Sequence, residues 1–140
     1  MTNTRAYLEV SPEQGAAFFG SPGEGPVVML NLLRFRETAD YSHAPDLAPP
    51  APVSGAEAYA RYMREMLPLL HRSGGEVLFS GTAANYLIGP AAEVWDHVLL
   101  VRQNSKASFL AFASDPESMT ITAHRTAAVC DSRLLPISAD

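Results

Sequence analysis

Between Pro26 and Arg36 the chain reads PVVMLNLLRFR, and from Val27 to Phe35 the apolar residues fall on both parities. Strict alternation would mark a strand with one wet face, whereas an apolar run on both parities marks a strand covered on both. Strand geometry places Val27, Met29, Asn31, Leu33 and Phe35 on one side, and Val28, Leu30, Leu32, Arg34 and Arg36 on the other. Asn31 is the polar exception on its side. A buried amide without a partner costs roughly 1–3 kcal/mol, so a protein group or a ligand has to bond it.

Ahead of this strand, Ala6 to Val10 reads as a short extended start. Ser11, Pro12 and Gln14 then combine an N-cap, a first-turn proline and a capping-box partner. They predict a short helix that presents Ala17, Phe18 and Phe19 to the core before the Gly- and Pro-rich stretch from Gly20 to Pro26 ends it. From Glu37 to Val53 the periodicity disappears, and Pro45, Pro49, Pro50 and Pro52 argue against a regular element. A long loop follows, of the kind that serves as a lid, a binding segment or a mobile insertion, and a mobile insertion without a task is the default expectation.

Ser54 and Glu57 form a second capping box, opening a helix that runs toward His71 and ends at Gly74 and Gly75. Tyr59, Met63, Met66 and Leu70 define its inner face, flanked by Tyr62 and Leu69, and Arg61, Arg64, Glu65 and Arg72 are assigned to the outer one. Pro68 predicts a kink or an early end. Glu76 to Gly89 reads as a strand with an irregularity around Gly81 and Ala83–Asn85, and Trp95 to Gln103 as the next, joined to it in an antiparallel hairpin. A helix opens at Ser105 with Phe109, Leu110 and Phe112, restarts at Asp115-Pro116 and continues to about Ala128. Val129 to Ile137 closes the chain as a strand, with Pro136 placing it at an edge.

Without its first helix the order is strand, helix, strand, strand, helix, strand, the ferredoxin-like βαββαβ arrangement of the α+β class. Both helices then cover one face of a four-stranded antiparallel sheet. The other face is left bare although its residues are apolar, and a second copy packing sheet on sheet resolves the conflict, so a homodimer is expected. Residues 1–25 are read as an N-terminal extension with an extra helix and residues 26–137 as the domain, with 37–53 as its long Pro-rich loop.

Composition narrows the partners. Of 140 residues 47% are hydrophobic and 18% charged, an apolar balance that suits coverage by a second subunit. The formal charge of −5, with ten Lys and Arg scattered along the chain, provides no basic patch for nucleic acid. A single cysteine, Cys130, rules out an intramolecular disulfide and reads as a small core residue. No apolar leader core and no run of about eighteen apolar residues is present, which predicts a cytoplasmic protein without a membrane span. No HExxH, CxxC, Walker, GxGxxG or GxSxG pattern occurs, and the four histidines, His43, His71, His97 and His124, fall on separate elements. No metal and no tightly bound cofactor is expected.

PVVMLNLLRF, Tyr59, RSGGEVLFSG, WDHVLLVRQNS, Phe109, SDPE and HRTAAVCDSRLL together resemble the bacterial domain-of-unknown-function family 1330, from about Pro26 to Leu135. The resemblance implies a dimeric α+β barrel, a superfamily that includes cofactor-free monooxygenases, lactone isomerases and haem enzymes, with a pocket between sheet and helices. One departure is Ser118-Met119-Thr120, where members often carry an aromatic residue.

Candidate residues for such a pocket follow. His97 and His124 are proton-transfer candidates, and Asn31 and Arg125 are candidates to hold an oxyanion. Tyr59, Trp95, Arg34 and Phe109 are candidates for substrate contact, Arg34 only if its parity is the pocket one. Each has a structural alternative: Asn31 bonded to neighbouring backbone, His97 a satisfied core residue, Arg125 paired with Asp131 or Glu117, and Tyr59 simply packed. The expected function is a small-molecule-binding homodimer acting as a cofactor-independent enzyme, monooxygenase- or isomerase-like, on an enolisable or phenolic substrate. The alternatives are a non-catalytic ligand-binding or stress-related dimer, or a purely structural one.

Overall fold

The computed structural model describes residues 6–139; the first five residues of the N-terminal extension and Asp140 lie outside the described residues. Eight elements follow one another: α1 (Pro12–Gly20), β1 (Val27–Phe35), α2 (Gly55–Arg72), β2 (Glu76–Thr82), β3 (His97–Gln103), α3 (Lys106–Ser114), α4 (Pro116–Ala128) and β4 (Val129–Ile137), with a 3₁₀ turn at Pro45–Leu47. The sheet is antiparallel throughout, in the order β2-β3-β1-β4. This is the ferredoxin-like topology, with β1 central, β4 at an edge and α1 as the extra helix.

The parity of β1 decides which face is which. Val27, Met29 and Leu33 are buried, and their β3 partners continue the same face: Met29 opposite Val101, Asn31 opposite Leu99, Leu33 opposite His97. Leu33 packs with Ala58 and Tyr59 of α2 and Ala127 and Ala128 of α4, while Val27 and Met29 pack with Leu70, Leu99 and Val101. Burying a side chain such as Leu33 completely contributes about 1.5–3 kcal/mol. On the opposite face Val28, Leu30, Leu32 and Leu100 remain half-buried, with Phe79, Leu135 and Ile137 exposed beside them.

Close contact of α2 with the end of β1 depends on Gly55. Its N–H donates to Arg36 O at 3.0 Å, and a Cβ there would stand 2.2 Å from Arg36 O and 2.6 Å from Ala128 O. Only glycine fits this junction of β1, α2 and α4. The helix is capped by Ser54 Oγ, which accepts from Glu57 N, and it ends before Gly74 at φ +89°. Contrary to expectation it runs unbroken through Pro68 to Arg72. Pro68 and Arg64 are both exposed, so the carbonyl deprived of its N–H partner lies on the solvent side of the helix, where the lost bond costs least.

Other expectations need correcting. The Ser11 cap of α1 is present, but α1 buries nothing completely: Ala17 is exposed, and Phe18 and Phe19 lie half-buried against Phe109. The second strand ends at Thr82 rather than Gly89, and its bulge falls at Leu78, between Val77 and Phe79. No tight hairpin follows. The β2–β3 ladder runs to Thr82 opposite His97 and is extended by Ala83 N, which donates to Asp96 O, while Asp96 N donates to Leu33 O of β1 on the other side. Residues 83–96 therefore form a loop that leaves Leu87 and Ile88 almost fully exposed.

The Pro-rich loop is fixed at several points. Ala39 N donates to Val53 O, Asp40 N donates to Ala127 O, and His43 Nε2 lies 3.2 Å from Ala123 O. Tyr41, at its centre, is buried. The expectation of a mobile insertion gives way to a segment strapped along α4. Among the described residues no helix is long and apolar enough to cross a membrane.

Candidate functional site

Three elements meet around His124. α2 and α4 pack against each other beside the loop that carries Tyr41, and His124 shares a face of α4 with the buried Ala127 and Ala128. Its ring is 2% exposed, with Nδ1 2.7 Å from Tyr41 Oη and Nε2 3.4 Å from Glu65 Oε2. The two rings meet edge to face at 5.6 Å. Arg61, one turn ahead of Glu65 on α2, donates Nε–H to the same carboxylate oxygen at 2.9 Å.

The electrostatics fix the protons. Burial, and then the Arg61 charge, push the His124 pKa down, with Glu65 opposing, so the ring is neutral near pH 7. The Glu65 carboxylate, at an ion-pair distance of 3.4 Å, favours the tautomer with its proton on Nε2, which leaves Nδ1 to accept from the Tyr41 hydroxyl. Burial is the first cause that raises the Tyr41 pKa, so the phenol keeps its proton. The result is a chain Tyr41–His124–Glu65 in the order hydroxyl, imidazole, carboxylate, braced by Arg61.

His97 has a different setting. Its ring lies 6.0 Å from Phe35 and 6.2 Å from Tyr59, and Nε2 is 3.0 Å from Ser80 Oγ. Burial alone lowers its pKa. Tyr59 is nearly inaccessible and burial drives its pKa far up, and burial also raises that of Tyr62. The rings of Phe35, Tyr59, Tyr62 and His97 thus adjoin one another where the sheet–helix pocket was expected.

The remaining predicted residues do not converge there. Asn31 faces the helices, as its parity required, but its Nδ2 donates to Met29 O at 3.2 Å and Leu99 O at 3.4 Å. Arg34 is exposed, opposite Asp131 on the face away from the helices. Trp95 precedes β3 instead of sharing a face with His97. Its Nε1 donates to Tyr86 Oη and Glu93, and its ring stacks on the Arg133 guanidinium at 4.9 Å. Arg125 is half-buried and donates to Leu8 O, while the anticipated partners are taken by others, Asp131 by Arg133 and Glu117 by Arg72. Phe109 packs with Phe18 and Phe19.

Tyr41, Glu65 and Arg61 were not anticipated. The signals were present: Tyr41 is the one aromatic residue between Glu37 and Val53, and Arg61 and Glu65 stand four apart on a helix. Two surface clefts flank the region. One, of about 370 Å³, lies between Tyr41 and the prolines of the loop; the other, of about 230 Å³, lies between the end of α2, α3 and the start of α4, where the buried Ser118 Oγ has no partner. Neither is lined by Asn31, His97 or Trp95. Among the described residues no group of three His, Cys, Asp or Glu side chains is placed to hold a metal ion.

No protein-family model matches the chain, and no curated protein does. Among solved structures, a protein of unknown function from Rhodopseudomonas palustris is 38% identical, matching 96% of this chain and 98% of its own with a TM-score of 0.83. Its methylated form matches 96% of this chain and 95% of its own at 38% identity, with a TM-score of 0.85. More distant is a DABB family protein with a ferredoxin-like fold from Mesorhizobium loti, 10% identical over 82% of this chain and 97% of its own, at a TM-score of 0.49. With 38% identity over 96% of its length, the chain belongs to the family of the Rhodopseudomonas palustris protein of unknown function.

Proposed function

We propose that this chain is a cytoplasmic, homodimeric small-molecule enzyme of domain-of-unknown-function family 1330, a dimeric α+β barrel that moves a proton on an enolisable or phenolic substrate without a tightly bound cofactor. The observation that carries the reading is the buried Tyr41–His124–Glu65 chain. As Tyr41 Oη takes a proton from the substrate, its own passes to His124 Nδ1, and Glu65 stabilises the imidazolium through Nε2–H. Returning the proton to another substrate atom completes an isomerisation. The apolar sheet face away from the helices, with Phe79 58% and Leu135 56% exposed, supports pairing with a second copy.

One observation favours the non-catalytic alternative. Asn31 and Arg125, the donors expected to hold an oxyanion, both bond backbone carbonyls. The test is turnover: quinols, lactones and enolisable ketones are followed by NMR for solvent deuterium exchange. The expected result is exchange that falls by about 10²-fold or more in His124→Gln, the usual contribution of one acid–base group. Stoichiometric binding of one compound without exchange replaces the enzyme reading by the ligand-binding one. Native mass spectrometry at micromolar protein should show a dimer, and a monomeric mass removes the sheet-pairing argument.

A further inference from the structure

The cleft of about 370 Å³ beneath the Pro-rich segment is distinct from the sheet–helix interior. Its walls are Thr38, Ala39 and Tyr41 on one side and residues 48–53 on the other. At about 30 Å³ for each water-sized atom it has room for roughly a dozen non-hydrogen atoms, the size of a two-ring molecule. It is also prebuilt. The strap is held by Ala39 N to Val53 O at 2.9 Å, Asp40 N to Ala127 O at 2.9 Å and Tyr41 Oη to His124 Nδ1 at 2.7 Å, so little ordering cost falls on binding.

The lining chemistry limits the ligand. None of the lining side chains is charged, and the chain carries a formal charge of −5, so a carboxylate would lose its hydration without a counter-charge. Pro49, Pro50 and Pro52 have no N–H, and the N–H groups of Ala39 and Ala48 are bonded within the loop, to Val53 O and Pro45 O. Carbonyl acceptors therefore outnumber free donors, which suits a ligand that donates. Proline rings and the Tyr41 ring give flat apolar surfaces of the kind on which aromatic faces pack.

We propose that this cleft is a binding site for a neutral, flat hydroxyaromatic molecule of about two rings, seated between the proline wall and Tyr41. The inference rests on the small-molecule reading above, but not on turnover. The probe is 2-naphthol, titrated by calorimetry, with 2-naphthoate as the charged and decahydro-2-naphthol as the non-aromatic comparator. For an open cleft and a ligand this small, the expected dissociation constant is on the order of 0.1 mM, with both comparators about tenfold weaker or worse. Ala51→Trp and Thr38→Trp replace exposed residues on opposite walls, so each should fill the cleft with circular dichroism and melting temperature retained, and each should lower 2-naphthol affinity at least about tenfold. Naphthoate binding as well as naphthol, or naphthol binding that survives both folded variants, overturns the site. Naphthol binding blocked by both folded variants supports the site whether or not exchange is retained; retained exchange leaves the proton-transfer reading intact, and no turnover of any panel compound by the unsubstituted protein removes that reading alone.

Discussion

His97 on β3 and His124 on α4 both meet side chains of α2, and burial lowers the pKa of each, yet their settings differ. His124 has a hydroxyl on one nitrogen and a carboxylate near the other, so both edges of the imidazole face a polar partner. His97 is bordered by the rings of Phe35 and Tyr59 and touches one serine. Contact with α2 is thus a poor guide to chemistry; what separates the two is whether the second nitrogen meets a group that can stabilise a proton.

The sharpest way to break this contrast is to truncate His124. His124→Ala leaves a cavity, an unpaired Tyr41 hydroxyl and a half-buried Glu65, and the expected loss is about 3 kcal/mol, read as a fall in the urea midpoint. A loss below about 1 kcal/mol would show that the chain is not a cooperative unit. Tyr41→Phe is expected to cost less, about 1–2 kcal/mol, because the ring remains in place and one hydrogen bond is lost. It should also loosen the Pro-rich strap, so hydrogen exchange at the amides of Ala39 and Asp40 should quicken. Unchanged protection there would mean that the backbone bonds alone hold the loop.

The fold was legible because its signals are local. The N-caps at Ser11, Ser54 and Asp115 each depend on a few neighbouring residues, and each accepts from a backbone N–H; the reciprocal capping-box bond expected at Ser11 and Ser54 is formed instead at Ser105, with Ser108. The parity of Val27 to Phe35 likewise assigned Asn31 and Arg34 to opposite faces before any partner was known. The chain around His124 was not legible in that way. Glu65 has the spacing of a solvent-side residue of α2, and only the approach of α4 and the strap makes that side partly dry. Trp95 kept the alternation of β3 in sequence, but alternation cannot report that the strand begins only at His97 and that Arg133 offers a flat cation to stack on.

Acidification should sharpen the same comparison. Each histidine has a folded-state pKa below the unfolded value of about 6.5, so its stabilising contribution is present above that pH and is lost as pH falls toward the folded pKa. Both His124→Gln and His97→Phe should flatten the decline in stability just below pH 6.5. Salt should separate them. The charges of Arg61 and Glu65 pull the His124 pKa in opposite directions, and their side chains are 40% and 38% exposed, so its part of the decline should change between low and high salt. The His97 part, which comes from burial alone, should not. Equal salt responses from the two variants would erase the distinction.

The smallest expected effect is the most discriminating. His97→Phe replaces a ring among rings, keeps the contacts with Phe35 and Tyr59, and gives up one hydrogen bond to Ser80, a residue exposed enough for water to substitute. Its cost in stability near pH 8 should stay within about 1 kcal/mol. Any exchange activity should survive it, because Tyr41, His124 and Glu65 are untouched. If His97→Phe abolished exchange while His124→Gln preserved it, the acid–base centre would belong between the sheet and α2, and the Tyr41–His124–Glu65 chain would be a brace for the Pro-rich strap. The paired measurement on one substrate decides between them, since a merely structural role for either histidine lowers the melting temperature without changing the pH profile of exchange.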